Sequence, residues 1–186
     1  DICEISENIS IFHLAANIDY QNSIDNPEKF IEMNLQLTFN IIRMLRELNF
    51  IGKMVYLSSD RVFGKKEGTI DEKEYPAPID NYGLSKFISE EILKSFSYNN
   101  NNQLIIVRCA NVYGSFQKSL QLLPSIFSQL SSGKEKISVG NLDNSRSYIY
   151  IDDLITALVD LINYKLTNNY EYFHFSNPPQ KLNKLT

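Results

Sequence analysis

The chain of 186 residues has no tryptophan, two cysteines and two histidines. Cys3 and Cys109 lie far apart and form neither a disulfide framework nor a C-x-x-C metal motif. His13 and His174 are too few and too scattered for a metal cluster, so no metal is expected. No apolar run is long enough to span a bilayer, and no basic-then-apolar leader opens the sequence. The expectation is a soluble, cytoplasmic protein with no membrane partner. An excess of positive charge is also missing: 18 Lys and Arg stand against 22 Asp and Glu, a net charge of −4. Phosphate backbones are held by clustered Lys and Arg, so nucleic acid is not an expected partner. The shortage with the largest consequence is glycine. The seven glycines, at 52, 64, 68, 83, 114, 133 and 140, make no G-x-x-G-x-x-G or G-x-G-x-x-G turn. The usual cradle for a dinucleotide pyrophosphate is therefore absent from this sequence.

What remains is an alternation of apolar runs and helical patterns. Ile9 to Ala16, Met54 to Ser59, Leu104 to Cys109 and Tyr170 to Phe175 read as strands, and Ile137 to Val139 and Tyr148 to Ile151 as short ones. Asn26-Pro27-Glu28 opens a helix running to Leu48, with Pro and acid in its first turn. Its apolar stripe is Phe30, Met33, Leu37, Ile41, Met44, Leu45 and Leu48, with Asn34 set inside it. Further helices are expected over Tyr82 to Phe96, Leu120 to Leu130 and Asp152 to Tyr164, and a long polar loop over Gly64 to Asn81. Strands alternating with helices imply an α/β protein with a doubly wound parallel sheet. An apolar content of 43% suits one globular core.

The chemistry is concentrated in Tyr82-Gly83-Leu84-Ser85-Lys86 and in Ser58-Ser59-Asp60-Arg61. A Tyr and a Lys four apart on a helix project from one face, one turn apart. A phenol with a pKa near ~10 is a poor base at neutral pH unless positive charge favours the phenolate. Lys86 can supply that charge, and Ser59, at the end of an apolar strand, can hold the substrate oxygen. The plain alternatives are a surface Tyr, a solvated Lys and a strand-end Ser that caps a loop.

These motifs resemble the extended short-chain dehydrogenase/reductases, the nucleotide-sugar-modifying epimerase/dehydratase branch. His13-Leu14-Ala15-Ala16 is similar to that family's strand-four motif, and Ser58-Ser59 with Val62-Phe63-Gly64 to its strand-five motif, with Phe63 where Tyr is usual. Arg108 with Asn111-Val112-Tyr113-Gly114 is similar to the strand-six motif, and Arg146-Ser147-Tyr148-Ile149-Tyr150-Ile151-Asp152-Asp153-Leu154 to the substrate-lobe motif. The resemblance implies a Rossmann-like sheet and part of a small substrate lobe. It divides the chain into a core over 1–118 and a segment over 119–186 that mixes the lobe with returning core elements. It also implies that the chain is a fragment, short of the glycine-rich first unit and of further C-terminal helices.

The resemblance implies Ser59, Asp60, Tyr82 and Lys86 as catalytic residues. Leu14, Ala15, Ala16, Asn34, Ser58, Tyr82 and Lys86 would line the cofactor, NAD with NADP left open. Ser59, Asn111 and Arg146 would hold a nucleotide-diphosphate sugar, with Arg146 on the diphosphate. Asp60 occupies the position of the acid that protonates a leaving hydroxyl in the dehydratases, although Arg61 stands where a Glu or Lys is common. The implied activity is epimerisation or 4,6-dehydration through a transient 4-keto sugar, in a homodimer when complete. An NADPH-consuming reductase and a non-catalytic scaffold are the rival readings.

Overall fold

The computed structural model describes residues 9–66, 70, 74–117, 121–139, 145–178 and 180–181. Along the chain run β1 (Ser10–His13), α1 (Tyr20–Asp25), α2 (Pro27–Glu47), β2 (Lys53–Ser59), a 3-10 turn (Asp60–Phe63), α3 (Asn81–Asn99) and β3 (Gln103–Cys109). They are followed by β4 (Asn111–Tyr113), α4 (Leu122–Ser131), β5 (Ser145–Arg146), β6 (Tyr148–Tyr150), α5 (Ile151–Asn163), β7 (Tyr170–Phe175) and β8 (Gln180–Lys181).

The main sheet has the order β1-β2-β3-β7. β1 pairs parallel with β2 from Ser10↔Lys53 to His13↔Tyr56, and β2 with β3 from Lys53↔Gln103 to Ser59↔Cys109. This register brings the C-terminal ends of the strands, with His13, Ser59 and Cys109, to one end of the sheet, where open α/β sheets bind ligands. Met54, Tyr56, Leu104 and Ile106 join Ile42, Leu45, Leu93 and Phe96 of α2 and α3 in the core on one face. Val55, Ile105 and Val107 alternate to the other face and are equally buried, as a sheet covered on both sides requires. β1 is shorter than the expected Ile9 to Ala16 and stands at the edge of the sheet. Beyond His13 the chain finds no ladder partner and leaves the sheet.

The stripe of α2 is rotated from the expected one. Its buried residues are Phe30, Asn34, Thr38, Ile42 and Leu45, while Met33 and Met44 are exposed. The reason lies in α3, whose buried face carries Ser85, Lys86, Ser89 and Glu90 beside Leu93 and Phe96. Polar α3 residues need polar partners. Asn34 donates to Ser85 Oγ at 3.0 Å, and Thr38 donates to Ser89 Oγ at 2.9 Å.

The chain divides into two compact units, the first running through Cys109 and including Asp160–His174, the second comprising Ala110–Val159 and the residues from Phe175. In the second unit β4 pairs parallel with β6, and β5 antiparallel with β8. β4 was not expected; at three residues it is too short to show a period, and it exists because Tyr148–Tyr150 pairs with it. The expected strand at Ile137 to Val139 is absent: those residues have no ladder and run as irregular chain. Among the described residues no helix is long and apolar enough to cross a membrane.

Candidate active site

The site is built where β2 ends and α3 begins. Ser59 caps the 3-10 turn: its Oγ accepts from Arg61 N and donates to Asp60 Oδ1, both at 3.2 Å. Arg61 then reaches α3. Its Nε and Nη2 bind Asp80 Oδ2 at 2.9 and 2.7 Å, and Asp80 is the N-cap of α3, accepting from Gly83 N at 2.8 Å. Gly83 is required by contact: a Cβ there would sit 2.4 Å from the Arg61 carbonyl oxygen. The turn bearing Ser59, Asp60 and Arg61 is thus clamped against the first turn of α3, which bears Tyr82.

Tyr82 is half-buried and Lys86 is buried at 3% exposure. The Lys86 ammonium donates to the Leu57 carbonyl at 2.7 Å and lies over two rings, 4.7 Å from the centre of Tyr56 and 5.9 Å from that of Tyr82. Burial pulls the Lys86 pKa down to about 8, opposed by Cys109 and Glu90. Burial pushes Tyr82 above the ordinary phenol range; Cys109 and Asp60 add to the rise, and Arg61 opposes it. The protein alone therefore holds Tyr82 as a neutral phenol, and the expected phenolate calls for positive charge beyond what these residues supply.

The other expected residues divide. Leu14 and Ala15 are exposed and Ala16 half-buried just past β1, leaving open backbone beside the site. Asn34 holds that segment in place: its Oδ1 accepts from Asn17 N at 2.7 Å, and its Nδ2 donates to Asn17 O at 3.2 Å and to Ser85 of α3. Ser58 turns inward, at 2% exposure, and its hydroxyl donates to Glu90 Oε1 at 2.5 Å. A cofactor would meet Ser58 without that hydroxyl. Asn111 and Arg146 belong to the second unit. Asn111 Nδ2 donates to the Ser147 carbonyl at 3.1 Å, bridging β4 to the start of β6, and Arg146 is exposed on β5. Burial, then Lys86, lowers the His13 pKa to about 4, so it is a neutral ring packed 5.2 Å from Tyr56.

Tyr56, Asp80, Glu90 and Arg108 also stand at the site or directly behind it, outside the expected set. Glu90 has a local signal, because it follows Lys86 by four residues and so shares its buried face. Asp80 was findable as a capping residue before the helix.

The residues present fit one end of a dinucleotide. The buried Lys86 ammonium spends one donor on Leu57 among the described residues, and exposed Leu14 and Ala15 leave the neighbouring backbone free for a flat ring and its ribose. No glycine-rich turn for the pyrophosphate is in the sequence.

A parallel sheet covered by helices, with its candidate site at the C-terminal ends of the strands, has the Rossmann-type arrangement. The chain belongs to the NAD dependent epimerase/dehydratase family, whose model matches residues 2–172. It is 32% identical over 160 residues to a Methanocaldococcus jannaschii protein named as a candidate UDP-glucose 4-epimerase, covering 83% of this chain and 52% of that one. It is 29% identical over 161 residues to the dTDP-D-glucose 4,6-dehydratase of Dictyostelium discoideum, covering 79% of this chain and 36% of that one. Among solved structures, RMD of Pseudomonas aeruginosa with NADPH matches at a TM-score of 0.86 and 23% identity, over 95% of this chain and 63% of that one. The chain spans about half the length, or less, of these two curated relatives.

Proposed function

We propose that this chain carries the proton-transfer half of a nucleotide-sugar epimerase or 4,6-dehydratase that works through a transient 4-keto sugar. The observation that supports the reading is the clamp from Ser59 through Arg61 and Asp80 to the first turn of α3, the turn that bears Tyr82. NAD or NADP, which Lys86 and the backbone at Leu14 and Ala15 would hold, would supply reversible hydride acceptance at the sugar C4. Ser59 orients the C4 hydroxyl, and Tyr82 takes its proton as the phenolate; the positive charge needed beyond Lys86 would come from an oxidised nicotinamide. Lys86 steadies the phenolate by charge and holds the ribose with its free donors. Leu14, Ala15, Ala16 and Asn34 form the neighbouring wall, with Ser58 behind it. In the second unit, Asn111 and exposed Arg146 hold the sugar diphosphate, for which a guanidinium fork is well shaped.

Asp60 bears on the choice between the two reactions. Its carboxyl group lies 3.2 Å from the Ser59 hydroxyl, so it sits beside the group that holds the sugar and, in its protonated form, can act as acid toward a leaving hydroxyl. A second copy of the chain is the proposed protein partner, tested by sedimentation, and a cytoplasmic location, tested by fractionation, belongs to the same reading.

The test is product analysis by NMR after incubation of the complete enzyme, glycine-rich unit included, with NAD and UDP-glucose or dTDP-glucose, for the wild type and Asp60→Asn. A dehydratase releases a 4-keto-6-deoxy sugar and loses it in Asp60→Asn, by about 10²–10⁴-fold in rate. An epimerase returns the C4 epimer and is changed little by Asp60→Asn. Net consumption of NADPH identifies the reductase, and no conversion with any of these leaves the non-catalytic scaffold.

A further inference from the structure

Among the described residues the chain has one fully buried ion pair. Glu90 is 0% exposed and Arg108 4%. Arg108 donates from Nε to Glu90 Oε1 at 3.2 Å and from Nη2 to Oε2 at 2.6 Å. Its guanidinium lies over two rings, 4.1 Å from the centre of Tyr172 and 5.0 Å from that of Phe63, which ends the turn carrying Asp60. The Ser58 hydroxyl completes the cluster on Glu90 Oε1 at 2.5 Å, and Ser58 and Arg108 face each other across the β2–β3 ladder.

A buried ion pair is a poor way to gain stability, since an apolar pair of equal volume is often as stable or more so. What it can give is one fixed register. Register matters at this place. Glu90 lies one turn beyond Lys86 on the same face of α3; Lys86 grips the Leu57 carbonyl and Glu90 grips the Ser58 hydroxyl. The helix therefore holds two successive residues of β2, directly before Ser59. Apolar contacts alone would let α3 settle at slightly different heights, and a misplacement of about 1 Å can cost about 10²-fold in rate.

We propose that the Ser58–Glu90–Arg108 cluster is the positioning device of the site: it sets the axial position of α3 on β2, and with it the reach from the Tyr82 phenol to the Ser59 hydroxyl. The three residues act through Lys86, Tyr82 and Ser59 and touch no substrate. The inference rests on the reading that Ser59 and Tyr82 transfer the proton, and its test separates the two.

Three variants decide it. Ser58→Ala cuts the link to β2 and leaves Glu90 paired with Arg108; Ser58→Thr keeps the hydroxyl; Glu90→Leu with Arg108→Met removes the ionic cluster without stranding a charge. For each, the urea unfolding midpoint, amide hydrogen exchange at residues 57–61, and kcat and KM with NAD and a nucleotide sugar are measured. The double variant should keep the wild-type midpoint or exceed it. Its exchange at 57–61 should quicken about tenfold or more, and kcat should fall about 10–100-fold with KM within about threefold. Ser58→Ala should move exchange and kcat the same way, and Ser58→Thr should restore both. Wild-type exchange at 57–61 in the double variant overturns the proposal, as does a loss of kcat that merely follows a fall in the midpoint. If Tyr82→Phe turns over normally, the proton-transfer reading fails by itself, and the exchange measurement still decides whether the cluster holds the end of β2.

Discussion

The Lys86 ammonium stands over the Tyr82 ring, 5.9 Å from its centre, while donating to the Leu57 carbonyl at 2.7 Å. The lysine is thus held by the strand that ends in Ser59 and directed at the helix that carries the phenol. A single side chain couples both halves of the proton-transfer set, and the bonds around it decide how firmly.

Asn34 is the first of these supports. It makes three hydrogen bonds that tie the backbone after β1 to α3. Asn34→Ala should lower the unfolding free energy by about 1–3 kcal/mol, because Asn17 N loses a half-buried acceptor. Urea denaturation measures the fall, and faster amide exchange at Asn17 locates it.

The contact at Gly83 predicts a steric cost. A methyl group there meets the Arg61 carbonyl at 2.4 Å, backbone against helix, with no flexible side chain to give way. Gly83→Ala should destabilise the protein by about 1–3 kcal/mol and weaken the Arg61–Asp80 contact. Denaturation together with a crystal structure of the variant checks both.

His13 predicts a pH dependence. Its pKa falls from 6.5 to about 4 on folding, through burial and then Lys86. Between those values the unfolded chain binds the extra proton and the folded chain does not, so stability should rise with pH across this window. As pH falls from about 6.5 to about 4, this residue alone should remove on the order of 3 kcal/mol. The difference between wild type and His13→Gln in unfolding free energy, followed from pH 7 down to about 4, isolates it from the carboxylates.

Much of the fold was legible because its strands are short apolar runs and its sheet is parallel. Met54 to Ser59 and Leu104 to Cys109 were readable within a residue of their ends. Tyr82 and Lys86 were readable because helical spacing places them together. Other features depend on tertiary partners that no local pattern reports. α2 turns Asn34 and Thr38 inward because α3 meets it with serines, and an apolar count picks the wrong stripe in that situation. β4 and the absent strand at Ile137 to Val139 show the limit for segments of three residues, where pairing decides and propensity does not. The inward turn of the Ser58 hydroxyl to Glu90 is likewise set by a tertiary partner, not by a local pattern.

The most direct test of the central claim is turnover by Tyr82→Phe, with substrate binding measured in parallel by calorimetry in the presence of NAD. Tyr82→Phe keeps the ring under the Lys86 ammonium and removes only the hydroxyl. Turnover should fall by about 10²–10⁴-fold while the sugar nucleotide binds within about threefold of wild type. Turnover within a few-fold of wild type would contradict the assignment of Tyr82 as the group that takes the proton.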